Sequence, residues 1–330
     1  MKLVLTDSLF EAADDLHLLG LLHRALRKRC YLAVRSPNSI DYHRWRDGLP
    51  RERRDAWDRL LDWTLLDSTV HPLCTVEVIE GDVSDWAAKP PKLTATDAMD
   101  LIDQPFQILL ENARYDRAFL LAMAGPAYRP LLERLETEGR LAFWGVGGLS
   151  ELRLVVEQRV ALRPGRRLSH WALFDSDAAA PGHVSDEARR AAASCRAVSI
   201  PFHRLERRAI ENYVPMGALY DWADADRRWR DARRPLVQSF AQLDEAQRRH
   251  FHFKSGFSAN PTQEEAALFA TVPGAARQAL RGGMSSADIG RLFHNDIRGR
   301  IRAQVDKDGA GVELAPSLAR LMELLRVPHG

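Results

Sequence analysis

The sequence predicts an α/β protein with a four-stranded parallel sheet and flanking helices, plus a mixed N-terminal region and a helical C-terminal extension. Between residues 94 and 215, short apolar runs alternate with amphipathic segments, which is the pattern of successive strand–helix–strand units. Before residue 94 helical patterns are mixed with a strand-like run, and after residue 215 helical patterns follow one another without strands. We therefore expect three regions, 1–93, 94–215 and 216–330, in a chain of 330 residues that is long enough for more than one domain.

The N-terminal region contains two helical patterns and one strand candidate. Apolar residues recur at helical spacing in 16–26 and 57–66, and the run Thr75–Ile79 has the β-branched residues typical of strands. The region ends in the Pro/Lys stretch 87–93, where two prolines remove backbone donors and disfavour a helix before them. This stretch predicts a turn or linker before the parallel sheet.

The predicted sheet is made of four apolar runs, and the predicted helices lie between them. The strand candidates are residues 106–111, 140–146, 169–174 and 197–202. Amphipathic patterns connect them at 116–125, 149–162 and 186–195. Right-handed crossovers would make these strands parallel, with helices on both faces of the sheet. After residue 215, helical patterns such as 236–251 and 261–272 predict the C-terminal extension.

Composition and cysteine usage are those of an ordinary globular protein. Apolar residues make up 45% of the chain and charged residues 28%, and no run approaches the ~18 uninterrupted apolar residues of a membrane span. The N-terminus becomes acidic before any signal-like segment develops, so we expect a cytoplasmic protein without a membrane partner. Cys30, Cys74 and Cys195 are widely spaced and form no CxxC pattern, so reduced cysteines are expected rather than disulfides or a zinc site.

Arginine supplies most of the positive charge behind the formal net charge of +2. Clusters at 51–54, 163–167, 204–208, 227–234 and 298–302 could neutralise the phosphates of a nucleic acid. Most of these clusters have acidic neighbours, so solvated helix faces with salt bridges are the more common explanation for any one of them. Charge alone therefore leaves a nucleic-acid partner as a hypothesis.

Three acidic residues stand where two of the predicted strands end. Glu111 ends the first strand candidate, and Asp175 and Asp177 follow the third, with Ser176 between them and no basic residue beside them in the sequence. Ligands of parallel sheets bind at the carboxyl ends of the strands, and carboxylate oxygens suit Mg²⁺. If the strand continued, Asp175 and Asp177 would face the same side. The alternative is an ordinary Asp-Ser-Asp turn before Pro181.

The order of these motifs resembles the TOPRIM domains of OLD-type nucleases and related phage-defence effectors. The resemblance rests on ILLENARYDRAFL, FWGVGGLSEL, ALFDSD and LERRAIENYVP, and it covers roughly residues 94–260. It implies a TOPRIM-like sheet in which Glu111, Asp175 and Asp177 bind a divalent metal. It also implies a metal role for Asp116, although Asp116 could instead be the N-cap of the helix that follows.

Two further residues enter through the same resemblance. Glu211, in the Glu-Asn-Tyr motif after the fourth strand, corresponds to a site-facing group of the family. On an arginine-rich helix, Arg207 and Arg208 could instead pair with Glu211. Lys254 resembles a lysine that some OLD-like nucleases place after the sheet, where it would stabilise charge developing on a phosphate.

The function implied by the resemblance is a magnesium-dependent nuclease that cleaves phosphodiester bonds of DNA or RNA, with Mn²⁺ as a substitute, in a bacterial anti-phage effector. Metal-activated water would then make a side-chain nucleophile unnecessary. The alternative is a non-catalytic TOPRIM protein that regulates or binds a separately encoded ATPase, because this chain has no GxxxxGK[ST] motif. The sequence is compatible with a homo-oligomer and does not fix the oligomeric state.

Overall fold

The structure, a computed structural model, describes residues 1–12, 15–70, 73–294, 300–307 and 311–326. The chain splits into two compact units. The first comprises Met1–Phe106 together with the chain from Ala319 onwards, and the second comprises Gln107–Leu318. None of the described helices combines the length and the apolar character needed to cross a membrane.

The first unit contains a four-stranded parallel sheet in the order β2-β1-β3-β4. Its strands are β1 (Lys2–Leu5), β2 (Tyr31–Val34), β3 (Thr75–Ile79) and β4 (Lys92–Thr94). Its helices are α1 (Asp7–Glu11), α2 (Asp15–Leu26), α3 (Ile40–Gly48), α4 (Arg51–Val70) and α5 (Ala95–Asp103). Leu3 on the central strand β1 is aligned with Leu32 of β2 and Val76 of β3, and all three side chains are buried. This row of apolar side chains forms part of the core of the first unit.

The Pro/Lys stretch 87–93 lies inside the first unit. Pro91 accepts a hydrogen bond from the N–H of Glu77 through its carbonyl, and the next three residues form β4, which pairs with β3. The sequence predicted a boundary after residue 93, whereas the first unit continues to Phe106. The described helices of the predicted C-terminal extension belong largely to the second unit, up to Leu318.

The second unit contains another four-stranded parallel sheet, in the order β6-β5-β7-β8. Its strands are β5 (Phe106–Leu110), β6 (Leu141–Gly145), β7 (His170–Phe174) and β8 (Phe202–Arg204). The first helices are α6 (Tyr115–Thr137), α7 (Leu149–Val155) with a π-helical turn (Val156–Val160), α8 (Arg166–Ser169) and α9 (Asp186–Ala197). The later ones are α10 (Met216–Asp224), α11 (Arg227–Ala241), α12 (Glu245–His250), α13 (Gln263–Leu268), α14 (Gly274–Ala279), α15 (Ser286–Gly290), α16 (Arg300–Lys307) and α17 (Gly311–Leu325).

The sheet of the second unit is covered by helices that bury its central strands. All five residues of β7 are buried, as expected of a strand with both faces covered. On one face, Leu109 of β5 and Ala172 of β7 pack with Leu152 of α7 and Ala191 of α9 in one apolar cluster. The small residues of α9 allow this helix to lie close to the sheet.

The predictions of an α/β protein and of a parallel sheet are confirmed. Strands β5, β6 and β7 lie where the apolar runs predicted them, but the fourth strand does not lie at 197–202. Helix α9 continues to Ala197, Ser199 has a left-handed backbone with a φ of 61°, and β8 begins only at Phe202. Pro201 has no N–H to donate to a sheet, so the apolar run before it forms the turn into the strand.

Candidate functional site

The two central strands of the second sheet bring Glu111 and Asp175 together. Leu110 at the end of β5 is aligned with Leu173 of β7, so the residues that follow these strands meet at the same sheet edge. Oε1 of Glu111 accepts a hydrogen bond of 2.8 Å from the backbone N–H of Asp175. This contact spans 64 positions of sequence and fixes the carboxylate of Glu111 beside the start of the Asp175–Asp177 turn.

The neighbouring strand β6 holds the backbone at Glu111. The carbonyl of Glu111 accepts a hydrogen bond of 2.9 Å from the N–H of Gly147, whose φ of 100° favours glycine. At the end of β6, a Cβ on Gly145 would lie 2.5 Å from the backbone nitrogen of Ala113. Gly145 at the end of β6 and Gly147 just after it therefore allow the loop that carries Glu111 to pack closely against this strand.

Hydrogen bonds to the segment after β8 hold the turn 175–177 in place. The buried hydroxyl of Ser176 donates a 2.7 Å hydrogen bond to the carbonyl of Arg207. The N–H of Asp177 donates to the carbonyl of Arg208 at 2.9 Å. Asp177 has a φ of 48°, in the left-handed region that aspartate tolerates better than most residues. The expected two-residue alternation of an extended strand therefore does not continue through this turn.

Asp116 is buried in the first turn of α6, next to Glu111 in the site. Its Oδ2 accepts a 2.8 Å hydrogen bond from the N–H of Asn112. The residue preceding the helix is Arg114, and its N–H donates to Oδ1 of Asn112 at 2.9 Å. Asp116 is therefore inside the helix rather than its N-cap, and its carboxylate is directed back to the loop after β5.

Glu211 reaches the site from a single 3-10 turn, Ile210–Tyr213. The arginine-rich helix that the sequence suggested there does not form. Residues 205–209 are irregular. The buried side-chain amide of Asn212 fixes the turn by donating to the carbonyls of Arg248 and Phe251, at 2.8 and 2.9 Å. Its Oδ1 accepts the N–H of Ala209 at 3.0 Å. The Glu-Asn-Tyr motif thus anchors Glu211 through its central residue.

Burial raises the pKa of all five carboxyl groups, and neighbouring carboxylates raise it further for four of them: Glu111, Asp116, Asp175 and Glu211. Burial is the main cause and raises the pKa of Glu111 to about 8 and that of Asp116 to about 7, with further increases from neighbouring carboxylates. The pKa of Asp175 is raised well above its ordinary value by burial and by the other acidic groups of the site. The pKa values of Asp177 and Glu211 are raised as well, again mainly by burial. A cation among these groups would offset this repulsion.

Arg208 is the basic residue that the local sequence around the aspartates did not reveal. It is distant in sequence from Asp177, but its guanidinium is close enough to oppose the increase in the pKa of that carboxyl group. Arg208 also contacts Glu265 at 3.7 Å and donates to the carbonyl of His250 at 3.3 Å. Burial lowers the pKa of Arg208 itself. A local signal for this contact was lacking, because it depends on the path of the chain after β8.

Among the described residues, no hydrogen bond or ion pair joins Lys254 to a carboxylate of the site. Lys254 is exposed in the turn after Phe253, and its charge contributes to the lowered pKa of His252. Among the carboxyl groups of the site, none of the pKa shifts involves Lys254. His250, in contrast, is buried behind the aspartate turn, where Nδ1 contacts the carbonyl of Ala178 at 3.0 Å.

The donor atoms of the site suit a hard divalent cation, although the side chains do not converge on one point. Within the described ranges, no group of three or more His, Cys, Asp or Glu side chains has the geometry of a metal site. The site provides carboxylate oxygens without a soft ligand, which is the chemistry that Mg²⁺ prefers. Glu111 uses Oε1 for Asp175 and retains Oε2 for another ligand. The residues therefore fit Mg²⁺ by charge and donor type. Because the side chains do not meet at one point, binding would require carboxylate side chains to rotate.

Comparisons of the chain with protein-family models, with curated proteins and with solved structures each returned no match.

Proposed function

We propose that the protein is a divalent-metal-dependent nuclease, with Mg²⁺ as its metal. The observation that carries the proposal is that Glu111 and Asp175 meet at the carboxyl edge of a parallel sheet, where Asp116 and Glu211 are close enough to raise the pKa of both carboxyl groups. Burying several acidic groups together is unfavourable for a fold unless a cation or protons compensate them. A TOPRIM-like site, as expected from the sequence motifs, would explain why the fold keeps this unfavourable arrangement. The acidic groups would bind the metal that catalysis needs.

Each residue has a distinct part in the proposed reaction. Glu111 and Asp175, which follow neighbouring strands, would hold the metal, and Asp177 would complete the set. Asp116 and Glu211 would orient these ligands and accept protons from water. When bound, Mg²⁺ supplies Lewis-acid activation of water and neutralises charge on the phosphate.

Activity on nucleic acids is tested by incubating the purified protein with DNA, messenger RNA and transfer RNA, with Mg²⁺ and with EDTA. We expect cleavage of at least one substrate with Mg²⁺ or Mn²⁺ and none with EDTA. Cleavage that persists in EDTA would contradict the proposal. A protein that binds Mg²⁺ but cleaves none of these substrates would instead support the non-catalytic alternative.

The role of the aspartate turn is tested by Asp175→Asn. This change keeps the side-chain size but removes a metal-binding charge, so we expect cleavage to fall by more than about 100-fold. The matched control is Asp221→Asn, since Asp221 is exposed on α10 and its loss should leave the rate unchanged. Full activity of Asp175→Asn, with normal folding by circular dichroism, would contradict the assignment.

A further inference from the structure

The loop between β5 and α6 carries an exposed arginine beside the carboxylate site. Arg114 follows Glu111 by three residues, so their Cα atoms are at most about 11 Å apart even in an extended chain. The loop is more compact than that, because Oδ1 of Asn112 accepts the N–H groups of Arg114 and Tyr115 at 2.9 and 3.3 Å. Arg114 therefore lies at the same edge of the sheet as Glu111.

The chain between Glu111 and Arg114 is open to solvent. Glu111 is half-buried, whereas Asn112, Ala113 and Arg114 are all exposed. Asp116, which follows directly in the first turn of α6, is buried again. A ligand that is bound at Glu111 and extends towards solvent would therefore meet this loop next.

The guanidinium of Arg114 is available to a ligand. Its Cζ atom lies 5.4 Å from the centre of the Tyr115 ring, as a cation–π contact. In the described part of the chain, this guanidinium has neither a carboxylate partner nor a hydrogen-bond acceptor. An exposed cation–π contact is a weak restraint, and it leaves the N–H donors of the arginine unused.

Other arginines around the site are already engaged. Arg117 donates a 2.8 Å hydrogen bond from Nε to the carboxylate of Glu136, and Arg208 contacts Glu265 at 3.7 Å. The charge of Arg114 also contributes to none of the pKa shifts of the site carboxyl groups. Arg114 is therefore a positive group beside the acidic site whose charge the site itself does not use.

Packing around Tyr115 connects this arginine to the opposite part of the site. A Cβ on Gly290 of α15 would lie 3.1 Å from Cδ1 of Tyr115, so the ring lies directly on this helix. The ring also makes a T-shaped contact with His294, with ring centres 6.2 Å apart. Helix α15 lies in turn against the 3-10 turn that carries Glu211. The Arg114–Tyr115 pair and Glu211 are thus held by the same helix.

We propose that Arg114 binds the phosphate next to the scissile phosphate of a nucleic-acid strand at the carboxylates. This inference rests on the proposed nuclease function. Acidic groups repel a phosphate strand, and a positive group beside them would offset part of this repulsion. Arginine can hold a phosphate through two parallel N–H donors, which fixes the position of the strand. The preferred substrate is then a strand with at least two consecutive phosphates rather than an isolated phosphodiester.

The test measures binding of labelled single-stranded DNA and RNA oligonucleotides by fluorescence anisotropy, with Ca²⁺ in place of Mg²⁺, over a series of salt concentrations. Gel electrophoresis verifies that the strands stay intact. We expect Arg114→Gln to weaken binding by about 10-fold and to reduce the salt dependence by about one ion. Arg114→Lys should restore part of the affinity because it retains the charge.

The matched control is Arg163→Gln. Arg163 is also exposed, but it lies near His170, at the opposite end of β7 from the carboxylates. This variant should bind as the wild type does, and thermal melts verify the folding of each variant. A dinucleotide with a single phosphodiester serves as a competitor, and we expect it to displace the oligonucleotide only at much higher concentration.

Several outcomes would overturn the phosphate contact. They are absence of oligonucleotide binding by the wild type, unchanged affinity in Arg114→Gln, equal weakening by Arg163→Gln, or displacement by the dinucleotide near the dissociation constant of the oligonucleotide. Binding that depends on Arg114, in a protein that never cleaves with Mg²⁺, would retain the contact and reject the nuclease. Mg²⁺-dependent cleavage with unchanged affinity in Arg114→Gln would retain the nuclease and reject the contact.

Discussion

At the scale of single residues, the site depends on backbone groups that position acidic side chains. Oε1 of Glu111 accepts the N–H of Asp175, and Ser176 and Asp177 bond to carbonyls of the segment after β8. These bonds hold the acidic residues at one edge of the sheet. The cause of the raised pKa values is therefore the fold itself, which surrounds the carboxyl groups with protein atoms and with each other.

The raised pKa of Glu111 predicts how the metal-free protein responds to pH. In the folded state the pKa is about 8, against an ordinary value of 4.5, so the folded protein binds this proton more tightly than the unfolded chain does. Its contribution to stability is fully present below about pH 4.5 and is lost as the pH rises through about 8. We expect wild type in EDTA to lose stability relative to Glu111→Gln over this interval.

Thermal denaturation in EDTA at about pH 5, 7 and 9 measures this difference. The control is Glu151→Gln, on the exposed first turn of α7, for which the difference from wild type should not change with pH. A constant difference between wild type and Glu111→Gln would show that this carboxyl group has an ordinary pKa.

Ser176 is predicted to support the site without touching a ligand. Ser176→Ala removes the 2.7 Å bond to the Arg207 carbonyl and the acceptor for the N–H of Ala178. Loss of a buried hydrogen bond costs about 1–3 kcal/mol in the free energy of unfolding. Urea denaturation should show this decrease, together with weaker Mg²⁺ activation of cleavage. Ser68→Ala, at a partly exposed position of α4, is the control. An equal effect of both substitutions would contradict the role of Ser176.

At the scale of elements, apolar runs predicted the long strands and missed the short ones. β5, β6 and β7 have five residues each and are bordered by clear helical patterns, so their sequence signal is strong. β1, β2 and β4 have only three or four residues. Such short runs do not show a strand pattern that is distinct from the helical patterns beside them. Tertiary pairing decides such segments, because a short strand gains its stability from its neighbours.

The close contact between β6 and the loop after β5 gives a prediction at this scale. Gly145→Ala would place a Cβ 2.5 Å from the nitrogen of Ala113, so the loop that carries Glu111 must move. We expect a loss of about 1–3 kcal/mol in unfolding free energy and a weaker affinity for Mg²⁺. The control is Gly274→Ala on α14, where an added Cβ meets nothing within 4 Å. Equal stability and equal Mg²⁺ affinity in the two variants would show that the loop adapts without cost.

At the scale of the whole molecule, the motif order predicted which acidic residues to consider but not their surroundings. The alignment of carboxyl ends in a parallel sheet was sufficient to expect Glu111 beside Asp175, as the structure shows. The position of Arg208 near Asp177 depends on the path of the chain after β8, which local patterns do not encode. Lys254 was placed by resemblance alone, and it lies exposed in the turn after Phe253.

The proposed nuclease requires a divalent cation between the ends of β5 and β7. The most direct measurement is a crystal structure of the protein soaked in Mn²⁺, with an anomalous difference map at the manganese edge. We expect a peak within about 2.0–2.3 Å of carboxylate oxygens of both Glu111 and Asp175, and we expect it to be lost in Asp175→Asn. A map without a peak at this edge, or with the ion bound only at other residues, would contradict the proposal.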